Sequence, residues 1–100
     1  MEQYSVKIFP TAQNDLKRIV DYLNTLSPAA AVRYYDLIVE KVRTLQTMPE
    51  RCALARDLQL RLRGYRLLHV ENYIVLYVIK GNTVEIRRIL YAKRQYEQLL

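Results

Sequence analysis

Histidine, cysteine and phenylalanine each occur once in this chain, tryptophan not at all, and only two glycines and three prolines interrupt it. Each scarcity excludes something. A lone Cys52 rules out an internal disulfide and argues against a cysteine-built metal site. With His69 as the sole imidazole there is no histidine pair to hold a metal or to divide acid and base duties. Two glycines cannot build a Gly-rich phosphate cradle, and neither a Walker loop nor a G-x-S-x-G elbow is present. Carboxylates thin out in the second half of the chain, against the needs of a two-metal nuclease. No apolar run approaches the ~20 residues that span a bilayer. The opening "MEQYSVKIFP" lacks a basic segment followed by a long apolar stretch. The expectation is a cytoplasmic protein with no membrane association, no metal and no cofactor.

What remains is ordinary in bulk and uneven in detail. The chain has 100 residues, 51% hydrophobic and 26% charged, which predicts one globular domain over residues 1–100. Its net charge is +6. In the first half Lys7, Lys17, Arg18, Arg33, Lys41 and Arg43 balance Glu2, Asp15, Asp21, Asp36, Glu40 and Glu50. In the second half Arg51, Arg56, Arg61, Arg63, Arg66, Lys80, Arg87, Arg88, Lys93 and Arg94 face only Asp57, Glu71, Glu85 and Glu97. The whole surplus lies there and is mostly arginine, whose planar fork suits phosphate and carboxylate. Such asymmetry points to an anionic partner, nucleic acid or an acidic protein segment, against the plainer reading of a solvated basic face.

Periodicity orders the chain. Val6 and Ile8 alternate with Ser5 and Lys7, predicting a strand over 4–9 that Pro10 ends. Thr11 then caps a helix whose stripe is Ala12, Leu16, Ile19, Val20, Leu23 and Leu26. Ser27-Pro28 is an N-cap followed by proline at the first helical position, opening a second helix to about Gln46. That helix is apolar over a wide arc, with Tyr34, Leu37, Val32 and Val39 beside the stripe of Ala31, Tyr35, Ile38, Val42 and Leu45. The arc fits either contact with two bodies or deep burial between the first helix and a sheet. Residues 48–57 lose periodicity and read as a loop. From Leu58 the sequence reads as strands: Leu58, Leu60 and Leu62 alternating up to Gly64, then 65–70, 73–79 and 83–90. Glu71-Asn72 forms the first hairpin turn, with Asn72 taking the positive φ, and Lys80-Gly81-Asn82 the second. The class is α+β: an N-terminal strand, a helical hairpin, then a three-stranded antiparallel meander, with the helices on one face of the sheet.

The chemistry available is arginine, lysine, tyrosine and one histidine. The surplus reads as a contiguous basic face on meander and tail, made of Arg61, Arg63, Arg66, Arg87, Arg88, Lys93 and Arg94 with Tyr91 among them. Tyr65, Tyr73, Tyr91 and Tyr96 offer faces on which bases stack. A metal-free ribonuclease is one construction from such parts, with Arg66, Arg87, Arg88 and Arg94 available to steady the phosphate and a tyrosine or His69 to move a proton. The plainer alternatives are a packed His69, a core role for Tyr73 and Tyr77, and an incidental Cys52. Arg87 and Arg88, neighbours on a strand, point to opposite faces, so at most one serves a given site.

The order of elements, with "FPTAQNDLKRIVDYL", "YRLLHVENYIVLYVI" and "VEIRRILYAKRQYEQLL" in sequence, resembles the RelE/ParE superfamily of type II toxin–antitoxin toxins over nearly the whole chain. The resemblance implies a growth-arresting toxin neutralised by a cognate antitoxin. The antitoxin's amphipathic, partly acidic segment would lie over the hairpin and sheet, against Tyr34, Tyr35, Leu37 and Val39. Two activities occur in the superfamily: ribosome-dependent, metal-independent mRNA cleavage in RelE-like members, and DNA gyrase inhibition in ParE-like ones. Arg66 and Arg94 match basic positions of the first set. The Tyr-Arg-Leu of many RelE-like toxins, however, reads Tyr73-Ile74-Val75 here, and Tyr96 is out of register with their terminal tyrosine. The resemblance therefore leans to the ParE-like activity, with mRNA cleavage as the alternative and a non-toxic binding module of the same fold as the third reading.

Overall fold

Pro10 opens the first helix in the computed structural model, which describes residues 3–93. The elements in chain order are β1 (Ser5–Ile8), α1 (Pro10–Leu26), α2 (Pro28–Arg43), α3 (Leu58–Leu62), β2 (Arg66–Val70), β3 (Tyr73–Lys80) and β4 (Thr83–Tyr91). Single 3-10 turns lie at Thr44–Gln46 and Pro49–Arg51. Phe9, not Thr11, holds the cap position of α1, because proline's fixed φ and missing N–H suit the first turn. Ser27 behaves as expected: its Oγ accepts the Ala30 N–H at 3.2 Å, and the hairpin turns on that one residue.

The leucine alternation over 58–62 misled the sequence reading. These residues form α3, not a strand. Asp57 caps it by accepting the Leu60 N–H at 3.1 Å. Gly64, at φ 82°, ends it with paired bonds, Gly64 N–H to the Arg61 carbonyl and Tyr65 N–H to the Leu60 carbonyl. A strand would have set all three leucines on one face, whereas the helix buries Leu60 and leaves Leu58 and Leu62 exposed on the other side, so the capping residues were the better signal. The turn after β2 also differs: Glu71, not Asn72, takes the left-handed conformation, at φ 53°.

The sheet order is β1-β4-β3-β2, the last three an antiparallel meander and β1 a parallel edge strand on β4. α1 and α2 cover one face, where Ile38, Val42 and Leu45 join a cluster with Val75, Tyr77, Val84, Ile86 and Ile89 of the sheet. α3 helps to cover the other, where Leu60 and Tyr65 meet Ile74, Leu76, Val78 and Leu90. β3 is therefore buried on both faces and reads as a continuous apolar run. Each of its fully buried large side chains contributes about 1.5–3 kcal/mol of transfer free energy.

Between Leu76 and Tyr77 the β3–β4 register slips: Tyr77 faces Ile86 and Leu76 faces Arg88, leaving Arg87 as the extra residue of a β-bulge. The unbroken alternation assumed for the Arg87-Arg88 pair therefore does not hold.

Tyr77 ties this core to the long loop. Its ring is fully buried, and its hydroxyl donates to the Pro49 carbonyl at 2.5 Å. Burial above all, then a hydrogen bond with Cys52, pushes the phenol well above its ordinary range, against a smaller pull from Arg66 and Arg51. The folded state thus holds the neutral phenol. Stability is unaffected below the unfolded tyrosine pKa of about 10. Above it the unfolded chain releases a proton that the fold retains, so stability falls by up to about 1.4 kcal/mol per pH unit. Tyr77→Phe should cost about 1–3 kcal/mol at neutral pH, by stranding a buried carbonyl, and should flatten the alkaline decline. Urea unfolding of both proteins at neutral pH and near pH 11 measures both effects.

Candidate functional site

The arginines are the first residues to place, since the charge surplus suggested them as a site. Arg66 leaves β2 and donates to the carbonyls of Glu50 at 3.1 Å and Cys52 at 2.6 Å. Arg61 clasps the carbonyls of Ala55 and Arg56. Arg51 binds the Thr44 carbonyl and hydroxyl. Residues 47–57 have few ladder partners for their backbone oxygens, and guanidinium forks supply donors instead. Arg63 lies over the Tyr65 ring. Arg87 pairs with Glu85 at 2.7 Å and stacks over Phe9 at 4.7 Å. Burial alone would lower the Arg87 pKa, but the Glu85 bond, the Tyr65 hydroxyl and the Glu85 charge carry it above the ordinary value. Arg88 joins Asp15, and the hydrogen bonds it donates to that carboxylate raise its pKa against the effect of burial.

Of the expected basic face, Arg87 and Arg88 are paired with carboxylates and Arg66 holds loop carbonyls, while Arg61 and Arg63 are exposed. Lys93 is exposed, while Arg94 and Tyr96 lie outside the described residues. His69 is exposed on β2 and not packed, because β2 is an edge strand and only its Leu68 and Val70 side faces the helices. Among the described residues no three His, Cys, Asp or Glu side chains converge to hold a metal.

A second arrangement is better formed. A groove of about 570 Å³ runs between α1 and the ends of β3 and β4, lined by Ile19, Tyr22, Leu23, Tyr34, Tyr73 and Tyr91, with Arg18 and Asp15 at its polar side. Tyr34 meets Tyr73 edge to face at 5.7 Å, and Tyr73 meets Tyr91 at 5.8 Å. Tyr73 and Tyr91 are cross-strand partners, so the meander register itself sets this stack. Tyr22 is 63% exposed and Tyr91 40%, so the rings form a wall open to a partner. Burial, followed by the neighbouring Tyr34, Tyr91 and Tyr22 hydroxyls, raises the Tyr73 pKa.

Of the four residues expected to meet an antitoxin, Tyr34 lines this groove and Leu37 packs against the core. Tyr35 is exposed elsewhere on α2, and Val39 is half-buried outside the lining. Sequence reasoning named Ile19 and Leu23 only as members of the α1 stripe and did not single out Tyr22. The signal was Tyr22, an aromatic one position outside that stripe. Asp15 was missed entirely, since one acid in a helix carries no mark of burial.

A family model described as the ParE toxin of the type II toxin–antitoxin system, parDE, matches residues 6–96. Among solved structures, a chain of the chromosomal ParDE toxin–antitoxin system from P. aeruginosa superposes with a TM-score of 0.77 at 28% identity, over 91% of this chain and 98% of that one. A chain of the RelBE2 toxin–antitoxin complex from Mycobacterium tuberculosis superposes with a TM-score of 0.62 at 25% identity, over 89% and 98%. No curated protein matches the sequence.

Proposed function

The chain belongs to the ParE toxin family of type II toxin–antitoxin systems, and from that premise we propose that it arrests growth by inhibiting DNA gyrase without catalysis. An antitoxin is its partner. In this reading an amphipathic antitoxin segment lays aromatic and aliphatic side chains into the tyrosine groove and an acidic one against Arg18.

One observation carries the choice against mRNA cleavage: among the described residues, the strand cations that could steady a phosphate are engaged within the protein. Arg66 holds loop carbonyls, Arg87 holds Glu85 and Arg88 holds Asp15. Ile74, standing where many RelE-like toxins carry a phosphate-binding arginine, is buried in the second core cluster. Stabilising the charge of a scissile phosphate requires donors already aimed at it, and releasing any of these would first break a folding contact. The test is a supercoiling assay with purified gyrase, with primer extension on mRNA from expressing cells beside it. Inhibited supercoiling or trapped cleaved DNA, without cuts inside codons, is expected. Codon-internal cuts that Arg66→Ala abolishes would overturn the proposal in favour of ribonuclease action.

A further inference from the structure

The outer edge of β2 is covered over only half its length. Tyr65 and Leu67 turn their backbone groups outward, where Ala55 N–H meets the Tyr65 carbonyl and Leu67 N–H donates to the Ala53 carbonyl. Alternation along an antiparallel strand then turns His69 outward as well, since Arg66, Leu68 and Val70 bond to β3. Beyond Ala53 the loop turns away: Arg51 N–H goes back to the Met48 carbonyl. Among the described residues nothing meets the Leu67 carbonyl or the N–H and carbonyl of His69. Beside these three groups lies a groove of about 610 Å³ lined by Cys52, Ala53, Leu54, Arg56, Leu67 and His69. It shares no residue with the tyrosine groove.

Exposed edges are normally blunted by lysine, proline or a bulge. The other edge strand, β1, carries Lys7 at its centre. The open half of β2 carries none of these devices. Its groove holds the Arg56 cation and the His69 imidazole with no carboxylate among its lining residues. It also offers Leu54, 41% exposed, as an apolar floor.

We propose that this edge is a strand-addition site for an extended, acidic segment of the protein the toxin arrests. The segment pairs with the Leu67 carbonyl and both backbone groups of His69, rests an apolar side chain on Leu54 and sets a carboxylate against Arg56. The inference rests on the toxin reading and adds to it a surface distinct from the antitoxin groove, so that neutralisation and target engagement use different faces.

The experiment expresses wild type, His69→Pro, His69→Ala and Arg56→Glu in cells and counts survivors, with melting curves of each purified protein. Proline at an outward position of an edge strand removes the N–H without breaking the ladder to β3. Arg56→Glu reverses the charge and leaves the backbone alone. Folded His69→Pro and Arg56→Glu should each raise survival at least tenfold, and His69→Pro should exceed His69→Ala by a similar factor. Arrest undiminished in Arg56→Glu, or equal effects of Pro and Ala at a folded position 69, would overturn the site. Should His69→Pro not fold, Arg56→Glu decides alone. A wild-type chain that leaves growth untouched overturns the toxin reading and the site with it, whereas arrest by wild type and variants alike overturns the site only.

Discussion

Replacing Asp15 by alanine should destabilise the protein by about 3–5 kcal/mol, a large share of the ~5–15 kcal/mol that holds a domain of this size together. The reason lies in where β1 stops. Its last residue, Ile8, stands opposite Ile86, and the Phe9 N–H still reaches the Ile86 carbonyl. Beyond that point no described strand flanks β4 on this side, yet its backbone continues. Asp15, one turn into α1, substitutes for the absent strand. Its Oδ2 accepts the Ile89 N–H at 3.0 Å and the Arg88 Nε at 2.7 Å, and its Oδ1 accepts Arg88 Nη2 at 3.0 Å. The carboxylate is 6% exposed and the guanidinium side chain 16%. Alanine would leave a buried N–H without its acceptor and a mostly buried cation without its counter-charge. Asp15→Asn keeps an acceptor for Ile89 and loses the charge, so its cost should fall between alanine and wild type. The double change Asp15→Leu with Arg88→Met should recover much of the loss, since an apolar pair often replaces a buried ion pair at little cost. Urea unfolding of the four proteins yields the coupling directly. A loss below about 1 kcal/mol for Asp15→Ala would show that the contact is incidental.

That contact also marks where the sequence stopped being legible. Strand and helix positions followed from periodicity because burial on one face enforces it, and Ser27-Pro28 located the hairpin because capping is local chemistry. Tyr73 and Tyr77 were readable as core for the same reason. The stretch 58–62 was not, because five residues hold too few periods to separate a helical turn from a strand. The arginines were legible only in number. Composition records how many guanidinium groups exist, but not that a loop poor in ladder partners would absorb Arg51, Arg61 and Arg66 as carbonyl clasps. Nor does it record a bulge at Arg87, which depends on the β3–β4 register. The groove was half-visible: Tyr34 stood out on an over-wide apolar arc, whereas Tyr91 joined it only once its pairing with Tyr73 was fixed.

The groove carries the second large prediction. Tyr22→Ala and Tyr91→Ala together should weaken binding of the cognate antitoxin by roughly two to three orders of magnitude, since buried aromatic anchors are often worth about 2 kcal/mol each at an interface. Stability should change little, because both rings are substantially exposed in the free chain and neither belongs to the helix-side core. Arg18→Glu should act on the association rate and its salt dependence, being a rim charge whose neighbour Asp15 is already neutralised by Arg88. Co-expression gives the cellular counterpart: the double tyrosine variant should arrest growth even when its antitoxin is present, because neutralisation has been lost and toxicity has not. That outcome is opposite in sign to the one expected for the β2 edge, where the variants should be harmless without any antitoxin. Titration calorimetry that finds the antitoxin bound within threefold of wild type would remove the groove as its seat.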